Sequence, residues 1–121
     1  MNESWVQFEF EQTDGALVGQ VRGEIDGANA DELRLVLAEQ LTTQGPGLVL
    51  DLSQTSYLDS AGIELLFDLA RRLRTHRQRL RLVVPAGAPM RRVLELCDIE
   101  QAAPVDATVE AALAALTGSA T

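Results

Sequence analysis

Leu48-Val49-Leu50-Asp51-Leu52, followed closely by Tyr57-Leu58-Asp59-Ser60-Ala61-Gly62-Ile63, decides how this chain is read. The first stretch is a continuous apolar run of the length of a buried strand. After the second, Ile63, Leu66, Phe67, Ala70 and Leu73 recur at helical spacing. Asp59 and Ser60 therefore stand where a strand gives way to a helix.

A serine in that place has three readings. It can cap the helix, a role worth about 1 kcal/mol. It can be a nucleophile, because Asp59-Ser60-Ala61-Gly62 has the outline of a G-x-S-x-G elbow. Asp59 replaces the first glycine of that elbow, however, and the sole histidine, His76, falls at the far end of the same helix. At 1.5 Å per residue the two are about 24 Å apart, which removes the base a serine nucleophile needs. Third, it can accept a phosphate. Free N–H groups and the positive end of the helix dipole accommodate the added charge of about −1.5 to −2. Spacing alone favours the cap.

Outward toward the N-terminus, Val6, Phe8 and Phe10 alternate with Gln7, Glu9 and Glu11, which predicts a strand with one wet face. Thr13-Asp14-Gly15 is a turn signal, and Ala16 to Arg22 completes a hairpin. Gly23-Glu24-Ile25-Asp26-Gly27-Ala28 breaks the pattern. Asn29-Ala30-Asp31-Glu32 reads as an N-cap with an acid three residues on, and Leu33, Val36, Leu37 and Leu41 follow at helical spacing. Gly45-Pro46-Gly47 ends that helix.

Toward the C-terminus, Leu80-Arg81-Leu82-Val83-Val84 is a strand. Pro89 suits the first turn of a helix whose apolar stripe is Met90, Val93, Leu94 and Cys97. That stripe suggests Cys97 is a small buried hydrophobe. Residues 99–105 allow at most a short edge strand because of Pro104. Asp106 is placed to cap a last helix with Val109, Ala112, Leu113 and Leu116 inward, and residues 117–121 read as a tail. Strands alternating with helices in this way predict one α/β domain over residues 1–121, with a core at about 4–116. Its sheet is mixed and largely parallel, of four to five strands, with about four helices.

Charge is distributed in blocks. The net value is −8, yet residues 71–92 hold eight arginines and no acid, while residues 1–68 sum to −11 and 95–121 to −5. Such an acidic chain, with no lysine and no helix-turn-helix pattern, is unsuited to direct nucleic-acid binding. The arginines fall chiefly at a helix C-terminus, where cations complement the dipole; an electrostatic patch for an acidic partner is the alternative. One cysteine excludes an internal disulfide or a multi-cysteine metal site and fits a cytoplasmic protein. Met1-Asn2-Glu3-Ser4-Trp5 lacks the features of a signal peptide, and no apolar run reaches the roughly 20 residues needed to insert across a membrane. No metal or cofactor is implied, and no glycine loop cradles a phosphate.

Leu50-Asp51-Leu52-Ser53 followed by Tyr57-Leu58-Asp59-Ser60-Ala61-Gly62-Ile63 resembles the signature of STAS domains, in particular the bacterial anti-sigma factor antagonists. Gly23-Glu24-Ile25-Asp26 matches a second short motif of that family, and the order of elements agrees along nearly the whole chain. The resemblance implies a regulator that binds rather than catalyses. Its partner would be an anti-sigma factor that is also a serine kinase with a histidine-kinase-like ATPase domain. Binding releases a sigma factor; phosphorylation of Ser60 stops binding, and a PP2C-type phosphatase reverses it. The resemblance further implies partner-contact roles for Asp26, Asp59, Ser60, Ala61, Gly62 and Ile63, with Asp59 positioning Ser60. Ala61 departs from the Ser or Thr often found there, which removes an alternative phosphoacceptor. The competing role in the same family is a regulatory subunit of a lipid-transport ATPase complex or another non-sigma scaffold, in which Ser60 is structural.

Overall fold

The computed structural model describes residues 6–42 and 44–118. The first two strands, β1 (Val6–Thr13) and β2 (Ala16–Ile25), form the expected antiparallel hairpin, with Asp14 and Gly15 both at positive φ in its turn. β1 is an edge strand: Val6, Phe8 and Phe10 pack on the core while Gln7, Glu9 and Glu11 are exposed. After the helix α1 (Ala30–Gln40), β3 (Gly47–Asp51) lies parallel to β2. β5 (Arg79–Val83) and β6 (Val105–Asp106) continue the sheet in parallel beyond β3.

One strand was not expected. β4 (Thr55–Leu58) precedes the helix α2 (Ser60–Thr75) and pairs in parallel with the last residues of β2. After Asp51 the chain jogs: Leu52 N–H donates to Val83, then Thr55 N–H donates to Leu52. β3 thus serves the first part of β2 and β4 the last part. Gly23, at φ 103°, sits at the register shift that allows the change of partner, and the buried Thr55 hydroxyl donates to Val21 at 2.8 Å. The sheet consequently has six strands, ordered β1-β2-β3-β5-β6 with β4 beside β2.

Two cores follow from the strand alternation. Leu48, Leu50, Leu52, Leu80, Leu82 and Val84 point toward α1, α2 and the helix α3 (Pro89–Leu96), where Leu33, Leu37, Leu65, Leu66, Leu69 and Leu94 meet them. Val18, Val49 and Val83 point the other way, onto Ala112, Val109, Leu113 and Leu116 of the helix α4 (Val109–Thr117). Leucine and valine burial on both faces supplies the driving force that few aromatics could.

Several local expectations change. Asn29 precedes α1 but makes no capping hydrogen bond, because its buried side chain is committed to the loop before it. Thr108, not Asp106, caps α4, its hydroxyl accepting from Ala111 N–H at 3.1 Å. Asp106 belongs to β6 and holds Arg81 through two hydrogen bonds of 2.7 and 3.1 Å. Cys97 is half-buried at the end of α3, donating to the Leu94 carbonyl at 3.3 Å. Thr117 closes α4 rather than opening a tail. Residues 1–5, Thr43 and residues 119–121 lie outside the described residues, as therefore does the first part of the predicted core.

Candidate functional site

β4 ends at Leu58 and α2 begins at Ser60, so Asp59 alone forms the joint. Its backbone is extended, at φ −95° and ψ −171°, which is the conformation of a cap rather than of a helical residue. Its N–H donates to Ile25 at 3.2 Å, and its carbonyl accepts from Ile63 N–H at 3.0 Å. The carboxylate is shared: Oδ1 accepts from Gly62 N–H and Oδ2 from Gly27 N–H, both at 3.0 Å.

Asp59 is therefore the N-cap, and the reading of Ser60 as the cap is corrected. The carboxylate already occupies the third N–H of the helix, which leaves the next hydroxyl without that work. Ser60 is the first helical residue, it is exposed, and its hydroxyl makes no hydrogen bond among the described residues. The N–H groups of Ser60 and Ala61 have no partner among them either, as expected for a helix start.

Gly62 is fixed by a close approach. A Cβ there would lie 2.9 Å from the Ile25 carbonyl oxygen and 2.9 Å from a Leu58 methyl group. The third residue of the Ser-x-Gly run thus lets α2 start against the ends of β2 and β4. Ala61 and Ile63 are half-buried beside it, and Ile63 packs on the main core.

The loop after β2 is brought to this joint. The Asp26 carbonyl accepts from Asn29 and Ala30 N–H at 3.1 and 2.8 Å, and its Oδ1 accepts from Ala28 N–H at 2.9 Å. Asn29 locks the loop from inside: Oδ1 accepts from Asp26 N–H at 3.0 Å, and Nδ2 donates to Glu24 at 2.8 Å. Gly27, next to Asp26, then donates to Asp59. The two motifs read from the sequence, Gly23–Asp26 and Tyr57–Ile63, are thus one surface. Two residues to which the sequence assigned no role belong to it. Gly27 contributes through its backbone, which leaves no sequence signal. Tyr57, 50% exposed on β4, presents an aromatic ring just before the joint, and an exposed aromatic in a motif is a signal that could have found it.

His76 is the C-cap residue of α2, whose first residue is Ser60, so no Ser–His pair forms. The arginine block divides. Arg71 pairs with Asp68, Arg81 with Asp106, and Arg91 donates to the Val84 carbonyl. Arg74, Arg77 and Arg79 have no acid within ion-pair reach among the described residues. No described helix is long and apolar enough to cross a membrane.

With this geometry in place, residues 7–112 match the sequence model of the STAS domain. The chain belongs to the STAS domain family. This STAS chain is 31% identical over 105 residues to BtrV of Bordetella bronchiseptica, assigned as an anti-sigma factor antagonist, covering 87% of this chain and 90% of that one. The crystal structure of an anti-sigma factor antagonist from Mycobacterium paratuberculosis superposes with a TM-score of 0.81 at 28% identity, over 93% of this chain and 94% of that one. The anti-sigma factor antagonist SpoIIAA, in its unphosphorylated form, shares the fold with a TM-score of 0.73 at 23% identity, over 93% and 97% of the two chains.

Proposed function

We propose that this STAS chain is an anti-sigma factor antagonist that switches partners through reversible phosphorylation of Ser60. The observation that carries the reading is the division of labour at the joint: Asp59 does the capping, and the neighbouring Ser60 hydroxyl is exposed and unengaged among the described residues. A hydroxyl with no structural task can be modified without unfolding the helix it stands on. The family relationship and the names of the relatives support the same role.

In the unphosphorylated state, Ser60, Ala61 and Ile63 at the start of α2, with Asp26 and Asp59 beside them, contact an anti-sigma factor in the cytoplasm, while the buried Gly62 seats that start against β2 and β4. That partner carries a histidine-kinase-like ATPase domain and consumes the ATP; the STAS chain acts by binding alone. A phosphate on Ser60 adds about −1.5 to −2 charge beside the Asp59 carboxylate. The N–H groups of Ser60 and Ala61, unpartnered among the described residues, accept that charge locally. A partner docked over a neutral hydroxyl loses a hydrogen bond and must desolvate a dianion instead. A PP2C-type phosphatase returns the chain to the binding state. Incubation with the cognate kinase and ATP, followed by phosphosite mapping by mass spectrometry, is predicted to place one phosphate on Ser60. An unmodified Ser60 after such treatment would favour a permanent scaffold in the manner of a transport-ATPase subunit.

A further inference from the structure

At the end of α2 away from Ser60, a groove of about 480 Å³ opens between the α2–β5 turn and the segment following α3. Arg74, Arg77, Arg79 and Arg81 line it, with Glu100 as the sole carboxylate among its lining residues. Arg81 is neutralised by Asp106, whereas the other three arginines have no acid within reach among the described residues. The walls below them include Leu80, Ala102 and Pro104.

The backbone at Arg77 is a second, independent observation. Gln78 N–H bonds back to Leu73 at 2.8 Å and Arg77 N–H to Arg74 at 3.0 Å, which is the Schellman closure of a helix. That closure puts Arg77 at φ 59°, in the left-handed region where glycine is the usual occupant. The fold thus carries a non-glycine residue in the left-handed region at a position that lines the groove. Glycine would occupy that position at lower conformational cost, so what arginine adds there is its side chain. The same closure occupies the Leu73 and Arg74 carbonyls, so they do not oppose an anion there.

We propose that this groove binds a small phosphorylated molecule, its phosphate held by Arg74, Arg77 and Arg79. The three guanidinium groups come from the last turn of α2, the connecting turn and the first residue of β5. Approach from three points suits a tetrahedral phosphate, which offers oxygens in several directions, better than a planar carboxylate. The groove is of the size of a small-molecule site and larger than one phosphate, leaving room for an organic body against the apolar wall. Being at the opposite end of α2, it is accessible while the Ser60 surface is docked, and it does not depend on the role assigned to Ser60.

Titration of the full chain with sodium pyrophosphate, by calorimetry at low ionic strength and by amide NMR shifts, tests the site. The expected result is saturable one-to-one binding with shifts at residues 74–81 and none at residues 59–63. Arg77→Gly and Arg79→Ala each weaken binding by about tenfold or more, Glu100→Gln tightens it, and Arg92→Ala, on the exposed side of α3, leaves it unchanged. Arg77→Gly also relieves the left-handed strain and raises the melting temperature by about 2–4 °C. Absence of saturable binding, or an equal loss in Arg92→Ala, would overturn the proposal, as would an Arg77→Gly variant that binds like the parent.

Discussion

The carboxylate of Asp59 accepts the Gly27 N–H at 3.0 Å, joining residues 32 positions apart in the chain. With its other oxygen on Gly62 N–H, one side chain both starts α2 and holds the loop after β2 against it. Asp59→Ala should therefore cost more than a cap alone, about 2–3 kcal/mol from the cap and the cross-loop bond together. Asp59→Asn retains one acceptor oxygen and turns an N–H toward a second N–H, so about half of that loss is expected. Urea unfolding of the two variants checks the order.

Gly62→Ala sets two effects against each other. Alanine gains about 1 kcal/mol of helix propensity over glycine. Its methyl group would sit 2.9 Å from the Ile25 carbonyl oxygen, a backbone atom that cannot rotate away. Overpacking of that kind costs about 1–3 kcal/mol, so a net loss is expected, in contrast to the gain at an exposed helical glycine. The midpoint of denaturant unfolding should fall without a change in slope.

Arg81 and Asp106 are 21% and 15% exposed at the side chain and bond in bidentate fashion, tying the two-residue strand β6 to β5. Removing one partner leaves the other half-buried and unpaired. Arg81→Ala is expected to destabilise by about 1–3 kcal/mol, while Arg92→Ala, exposed and without an ion pair among the described residues, stays within about 0.5 kcal/mol of the parent. Thermal melts of the pair separate the two.

Ser60→Ala should leave stability within about 0.5 kcal/mol of the parent, because the cap belongs to Asp59. A loss of about 1 kcal/mol or more in chemical denaturation would return the capping role to Ser60.

Most of the architecture was legible because its signals are periodic. Val6, Phe8 and Phe10 gave the edge strand, and the spacing of Leu66, Ala70 and Leu73 gave α2. β4 was not legible: Thr55 and Leu58 are buried but Ser56 and Tyr57 between them are exposed, so four residues carry no period-two pattern. Cap identity was ambiguous for a chemical reason. Asp59 and Ser60 are both good cap formers, as are Asp106 and Thr108, and only the backbone conformation decides which one serves. Asn29 also looks like a cap, yet its amide satisfies the Asp26 loop. That Gly23–Asp26 and Tyr57–Ile63 share a surface is a tertiary fact made by β4 pairing with β2, and spacing along the chain carries no trace of it.

A phosphate on Ser60 is expected to act on the partner and not on the fold. Calorimetric affinity for the cognate anti-sigma factor, measured with unmodified and Ser60-phosphorylated chain side by side, addresses it most directly. A penalty of about 3–4 kcal/mol corresponds to a several-hundredfold weaker complex, with the circular-dichroism spectrum and melting temperature unchanged. Equal affinity of the two forms, both folded, would mean that Ser60 is not the switch.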